Sequence, residues 1–107
     1  FRRVLFRSLD ALYEVLMGSS GRSAILEMMY PRLKARDLAP RFRTELLHKD
    51  LRLALEMTAE CGVHSATGET ALAAIEAAMN AGHAGADTLS MLLPLEQQAH
   101  MRLFDAG

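Results

Sequence analysis

The stretch Phe42–Gly62, F-R-T-E-L-L-H-K-D-L-R-L-A-L-E-M-T-A-E-C-G, is the longest uninterrupted helical pattern in the chain. At about 100° per residue, Leu46, Leu47, Leu51, Leu53, Ala54, Leu55, Met57 and Cys61 form one broad apolar arc. His48, Lys49, Arg52, Glu56 and Glu60 gather on the other side. Asp50 falls inside the apolar arc, between the directions of Leu46 and Ala54. A carboxylate aimed at a core must be paired, hydrogen-bonded or neutralised, because an isolated buried charge is costly. Lys49 sits at the edge of the polar side, placed to reach a groove or a ligand. Two readings of the pair follow. In one, Asp50 is a structural acceptor and Lys49 is simply exposed. In the other, both line a functional cleft.

Working outward, every other segment is also helical. Toward the N-terminus, Leu9, Leu12, Tyr13, Leu16 and Met17 keep the spacing of one helix face, with Ser8 or Asp10 as cap and Gly18 as stop. Ser23 is an N-cap for a helix carrying Ile25, Leu26, Met28, Met29 and Tyr30, and Pro31 predicts a kink or a new first turn. Asp37-Leu38-Ala39-Pro40 is a breaker. Toward the C-terminus, a small-residue helix runs from about Ala66 to Ala81. Leu72, Ile75 and Met79 form its face, and Ala71, Ala74 and Ala78 are a flank for close helix approach. Gly82–Ala86 closes it. Asp87 caps a last helix bearing Leu89, Leu92 and Leu93, which Pro94 kinks or ends, and the residues from Gln97 onward form a loosely held polar tail. No strand pattern appears, so the fold class is all-α, a compact bundle of about five helices.

The 107 residues suit one domain with its own core. A net charge of -1, with cationic residues that do not alternate with aromatics, argues against nucleic acid and anionic membrane as partners. No apolar run approaches the roughly 20 residues that span a bilayer. One cysteine, Cys61, excludes an internal disulfide and suits a reducing, cytoplasmic setting. It reads as a packing residue, as do the seven methionines. His48, His64, His83 and His100 lack metal-ligand spacing, so no metal site is expected. Gly18-Ser19-Ser20-Gly21 reads as an interhelical turn, since it lacks the strand and Lys-Ser/Thr ending of a phosphate loop. Residues 1–8 (F-R-R-V-L-F-R-S) have no signal-peptide plan and are expected to be a non-native or truncated leader. The domain is expected to cover 9–96 and the tail 97–107.

Six features occur in register between Leu9 and Glu96. They are L-Y-E-V-L at Leu12–Leu16, S-S-G-R-S at Ser19–Ser23, P-R-L at Pro31–Leu33 and Pro-x-Phe at Pro40–Phe42. K-D-L-R-L-A-L at Lys49–Leu55, with Gly62-Val63, and A-G-H-x-G-A-D at Ala81–Asp87 complete the set. Together they resemble the C-terminal helical domain of the β-hydroxyacid dehydrogenases, which include 3-hydroxyisobutyrate dehydrogenase and tartronate semialdehyde reductase and are related to 6-phosphogluconate dehydrogenase. The resemblance implies a parent oxidoreductase that interconverts a small 3-hydroxyacid and its semialdehyde or keto acid with NAD or NADP. It places Lys49 at the cofactor, with Phe42 and Asp50 at the cleft wall. It also implies that the Rossmann domain and the general acid/base lysine lie before Leu9. This chain carries no G-x-G-x-x-G fingerprint and is expected to hold no catalytic residue and to be inactive alone. A homo-oligomer is implied too. The alternative is a free-standing helical module that binds a partner helix or itself without catalysis.

Overall fold

The computed structural model describes residues 9–104, and the expectation for residues 1–8 lies outside them. The described residues are all-α, as the hydrophobic periodicity requires, with five α-helices. These are α1 (Leu9–Met17), α2 (Ala24–Lys34), α3 (Thr44–Glu60), α4 (Ala66–Ala78) and α5 (Leu92–Ala99). They divide into two units, one ending at Asp37 and one beginning at Leu38.

In the first unit, Gly18 donates its N–H to Glu14 O as α1 ends, and Ser19 Oγ bonds back to Leu16 O. This is the turn the glycines and serines predict. The Ser23 hydroxyl accepts the Leu26 N–H at 3.0 Å and starts α2. The helix continues through Pro31 to Lys34 rather than restarting there. The rings of Tyr13 and Tyr30 stack with centroids 4.0 Å apart. Tyr30 donates its hydroxyl to the Asp10 carboxylate, which also pairs with Lys34 at 2.7 Å.

In the second unit α3 packs against α4. The first is closed by Gly62 at φ 76°, with Val63 N–H donating to Thr58 O and Gly62 N–H to Ala59 O. That pair of bonds satisfies the last carbonyls, and the left-handed position suits glycine. Ser65 caps α4 by accepting the Gly68 N–H at 3.1 Å. Close approach of the two helices rests on Gly68, since a Cβ there would lie 2.7 Å from Leu55 Cδ2. Of the predicted alanine flank only Ala78 is buried, beside Ile75, while Ala71 and Ala74 are exposed. The helix ends in a π turn, Met79–His83, which Gly82 breaks at φ 97°.

Two expectations about the C-terminus are corrected. Asp87 caps a 3-10 turn, Thr88–Met91, and α5 follows directly. Pro94 therefore lies in the first turn of α5, where its missing N–H costs little, and does not interrupt the helix. The tail is also tied down in part: α5 extends to Ala99, His100 turns the chain at φ 55°, and Leu103 N–H donates to Glu96 Oε2 at 2.7 Å.

Candidate functional site

The long helix uses only half of its apolar arc. Thr44 is buried, and Leu47, His48, Leu51, Leu55 and Thr58 are half-buried. Leu55 faces Gly68, and His48 Nε2 lies 3.8 Å from Glu76 Oε1 on α4. The other half points away from α4. Leu53 is 45% exposed and Met57 67%, and Ala54 and Cys61 are exposed with them. Asp50 belongs to this half and is exposed. The expectation of a carboxylate directed at a core is therefore wrong. The arc is wider than one neighbouring helix can cover, and Asp50 lies on the part left uncovered. The same geometry corrects Cys61, which is exposed instead of packed, and Met57; Met28 on α2 is likewise exposed at 57%.

Lys49 is exposed beside Asp50 on the next helical direction. Neither side chain has a hydrogen bond or ion pair among the described residues. The neighbouring charges are engaged instead: Arg52 pairs with Glu56 at 2.8 Å, and Arg43 with Glu45 at 3.1 Å. An unpaired cation therefore stands at the edge of an uncovered apolar strip, and an unpaired anion within it.

Phe42 stands just before the first turn of α3, 39% exposed. Its backbone is held by the segment that follows α4. Phe42 O accepts the Thr88 N–H at 3.0 Å, and Arg43 pairs with Asp87 as an isolated antiparallel bridge. Thr44 N–H donates to Ala86 O at 2.8 Å and Glu45 N–H to Ala84 O at 2.9 Å. The first N–H groups of a helix have no intrahelical acceptor, and this loop supplies them. Thr44 Oγ1, also buried, donates toward Ala86 O at 3.0 Å and lies 3.4 Å from Ser90 Oγ.

Asp87 is the buried centre of this clasp, at 0% exposure. Its Oδ1 accepts the N–H groups of Arg41 and Phe42 at 2.9 and 3.0 Å, and its Oδ2 accepts that of Leu89 at 3.0 Å. Sequence reasoning assigns Asp87 only the last of these, and singles out neither Asp87 nor Thr44 as part of the site. The available signal is the A-G-H-x-G-A-D run, whose aspartate follows a loop of small residues and immediately precedes a buried Thr-Leu-Ser. The structure thus brings Phe42 and the start of α3 together with the Ala84–Ser90 segment, and places Lys49 and Asp50 further along the same helix.

The four histidines do not converge. His48 and His64 each approach a glutamate, His83 lies in the π turn, and His100 ends α5. Among the described residues no group of three His, Cys, Asp or Glu side chains is placed to hold a metal ion. No helix among them is long and apolar enough to cross a membrane.

Comparison with known proteins follows this geometry. The family model described as NAD-binding of NADP-dependent 3-hydroxyisobutyrate dehydrogenase matches residues 8–95. The match takes in both units, the clasp and all three residues Phe42, Lys49 and Asp50. A search of curated proteins finds no match.

Proposed function

The chain belongs to the NAD-binding family of 3-hydroxyisobutyrate dehydrogenase-like proteins, and from that premise we propose that it supplies one wall of the cofactor and substrate cleft of an NAD(P)-dependent oxidoreductase acting on a small 3-hydroxyacid. The observation that carries this reading is the exposed Lys49–Asp50 pair on the uncovered half of α3, without an ion pair among the described residues. The residues present suit a dinucleotide. Lys49 offers an ammonium that no carboxylate among the described residues pairs with, a point charge for a phosphate oxygen. Phe42 offers a half-exposed ring on a fixed backbone, and Asp50 an acceptor for a hydroxyl. When bound, the cofactor supplies hydride transfer.

This chain's part in that reaction is binding and orientation. Lys49 fixes the charge of the cofactor, while Phe42 and the apolar strip exclude water from the closed cleft. The general acid/base and the phosphate cradle are assigned to a dinucleotide-binding domain outside these residues. The uncovered apolar strip is the surface proposed to meet that domain or another copy of the chain.

A second reading has the same strip in its favour: a module that self-associates without any cofactor. An NADH titration of the isotopically labelled chain, followed by amide shifts, separates the two. Shifts centred on Phe42, Lys49 and Asp50 that vanish in Lys49→Ala are expected. Because the phosphate cradle lies elsewhere the contact is weak, so NADH is raised to about 10 mM; no response at those three positions there would sink the cofactor reading and leave self-association.

A further inference from the structure

Capping the 3-10 turn takes one carboxylate oxygen, and Asp87 Oδ2 does this by accepting the Leu89 N–H at 3.0 Å. The other oxygen is turned to two peptide N–H groups of a distant segment, Arg41 at 2.9 Å and Phe42 at 3.0 Å. Both come from the residues that lead into α3. With the carboxylate 0% exposed, water does not compete for these bonds, and a charged acceptor makes each one stronger than an amide–amide bond. Phe42 is held from its other side as well, since its carbonyl accepts the Thr88 N–H at 3.0 Å. Both faces of one residue's backbone are thus clamped by Asp87 and its successor. The Phe42 side chain, in contrast, stays 39% exposed. A fixed N–H and a fixed C=O set the Cα–Cβ direction, so the ring leaves the backbone at a fixed point and only its side-chain torsions remain to turn it.

We propose that Asp87 is a positioning residue that holds Phe42 at the cleft wall through the N–H groups of Arg41 and Phe42. The proposal rests on the reading of Phe42 as part of the cofactor cleft. Asp87 itself is enclosed and touches no ligand. Its effect on the cofactor passes through Phe42, which makes the two residues energetically coupled.

A double-mutant cycle with NADH as probe tests this. Far below saturation the amide shift at Lys49 is proportional to affinity. Phe42→Ala is expected to shrink that shift about tenfold, the response to a loss of about 1.4 kcal/mol. Asp87→Ala is expected to do the same, and the double variant to be no weaker than Phe42→Ala alone, as coupled sites require. Effects of the two that multiply, or an Asp87→Ala chain that binds like the parent, would overturn the proposal. An unchanged shift in Phe42→Ala instead overturns the cleft reading itself, and with it the proposal, so the two failures are told apart. Asp87→Asn keeps one acceptor oxygen and guards against loss of the fold. It is expected to bind NADH with intermediate affinity and to exchange the Arg41 and Phe42 amide protons faster. A lowered Tm with unaltered exchange at both amides would reduce Asp87 to a helix cap.

Discussion

Gly68 on α4 lies so close under Leu55 on α3 that a Cβ added to it would come within 2.7 Å of Leu55 Cδ2 and 2.8 Å of Ser65 Oγ. The position is therefore where the two helices touch, and also where the Ser65 cap closes on the Gly68 N–H. Alanine is worth up to about 1 kcal/mol over glycine inside a helix. Overpacking and a disturbed cap cost about 1–3 and about 1 kcal/mol respectively. The penalties are larger, so Gly68→Ala is expected to destabilise the chain by about 1 kcal/mol or more in denaturant titration. A stabilised variant would show that Leu55 moves aside without cost.

Thr44 shows what the clasp contributes. Its hydroxyl is buried and reaches Ala86 O, Asp87 O and Ser90 Oγ. Thr44→Val preserves shape and removes these bonds, for an expected loss of about 1–2 kcal/mol. Thr70 is the control, because its hydroxyl bonds to Ala66 O at 3.1 Å on the exposed side of α4. Thr70→Val is expected to stay within about 0.5 kcal/mol of the parent. Equal effects at the two positions would deny the clasp any special role.

The first unit carries a pH signature. Burial pushes the Tyr30 hydroxyl up from 10.0 to about 12, and its hydrogen bond to Asp10 acts in the same direction. A phenol with a raised folded-state pKa contributes stability that is complete below pH 10.0 and lost as pH rises toward about 12. Hydrogen bonding from Lys34, then from Tyr30, holds the Asp10 carboxyl below its ordinary range. Its contribution is therefore present above that range and lost as pH falls through the folded-state value. Ultraviolet titration should show a tyrosinate step near pH 12 that Tyr30→Phe removes and Asp10→Asn moves down. A step that Asp10→Asn leaves in place would exclude the carboxylate as a cause.

Helix identity and most helix ends are legible in the sequence because they depend on local chemistry. Ser23, Gly62 and Asp87 all act at the ends where their side chains or φ freedom would place them. What escapes is anything that needs to know which neighbour arrives. The arc on α3 reads as one buried face, yet α4 covers only the Leu47–Leu51–Leu55 side of it and leaves Asp50 outside. The Ala71 and Ala74 flank looks suited to close packing, yet the contact falls on Gly68. In the clasp, Asp87 reaches the N–H groups of Arg41 and Phe42 across the fold, a pairing that no local pattern contains. Phe42, Lys49 and Asp50 are singled out as candidates by resemblance alone, through the motifs that carry them. For the residues that hold Phe42 in place the sequence offers the A-G-H-x-G-A-D run as a signal, but only the fold shows which segment Asp87 reaches.

Asp50 gives the sharpest division between a structural and a functional carboxylate. A buried acceptor would cost about 1–3 kcal/mol when removed, since its donors would be left unsatisfied. Asp50 is exposed and has no hydrogen bond or ion pair among the described residues, so this penalty has no source. It also lies among Leu46, Leu53 and Met57, where an alanine would merely extend the apolar strip. Asp50→Ala is accordingly expected to change stability by less than about 0.5 kcal/mol. Joined to the dinucleotide-binding domain of the function proposed above, the same change is expected to raise KM for cofactor or substrate, with Tm preserved. A hydroxyl that loses a charged acceptor forfeits about 1.5–3 kcal/mol, which corresponds to a KM increase of about tenfold or more. A marked fall in Tm with normal kinetics would return Asp50 to the structural role its place in the apolar arc first suggests.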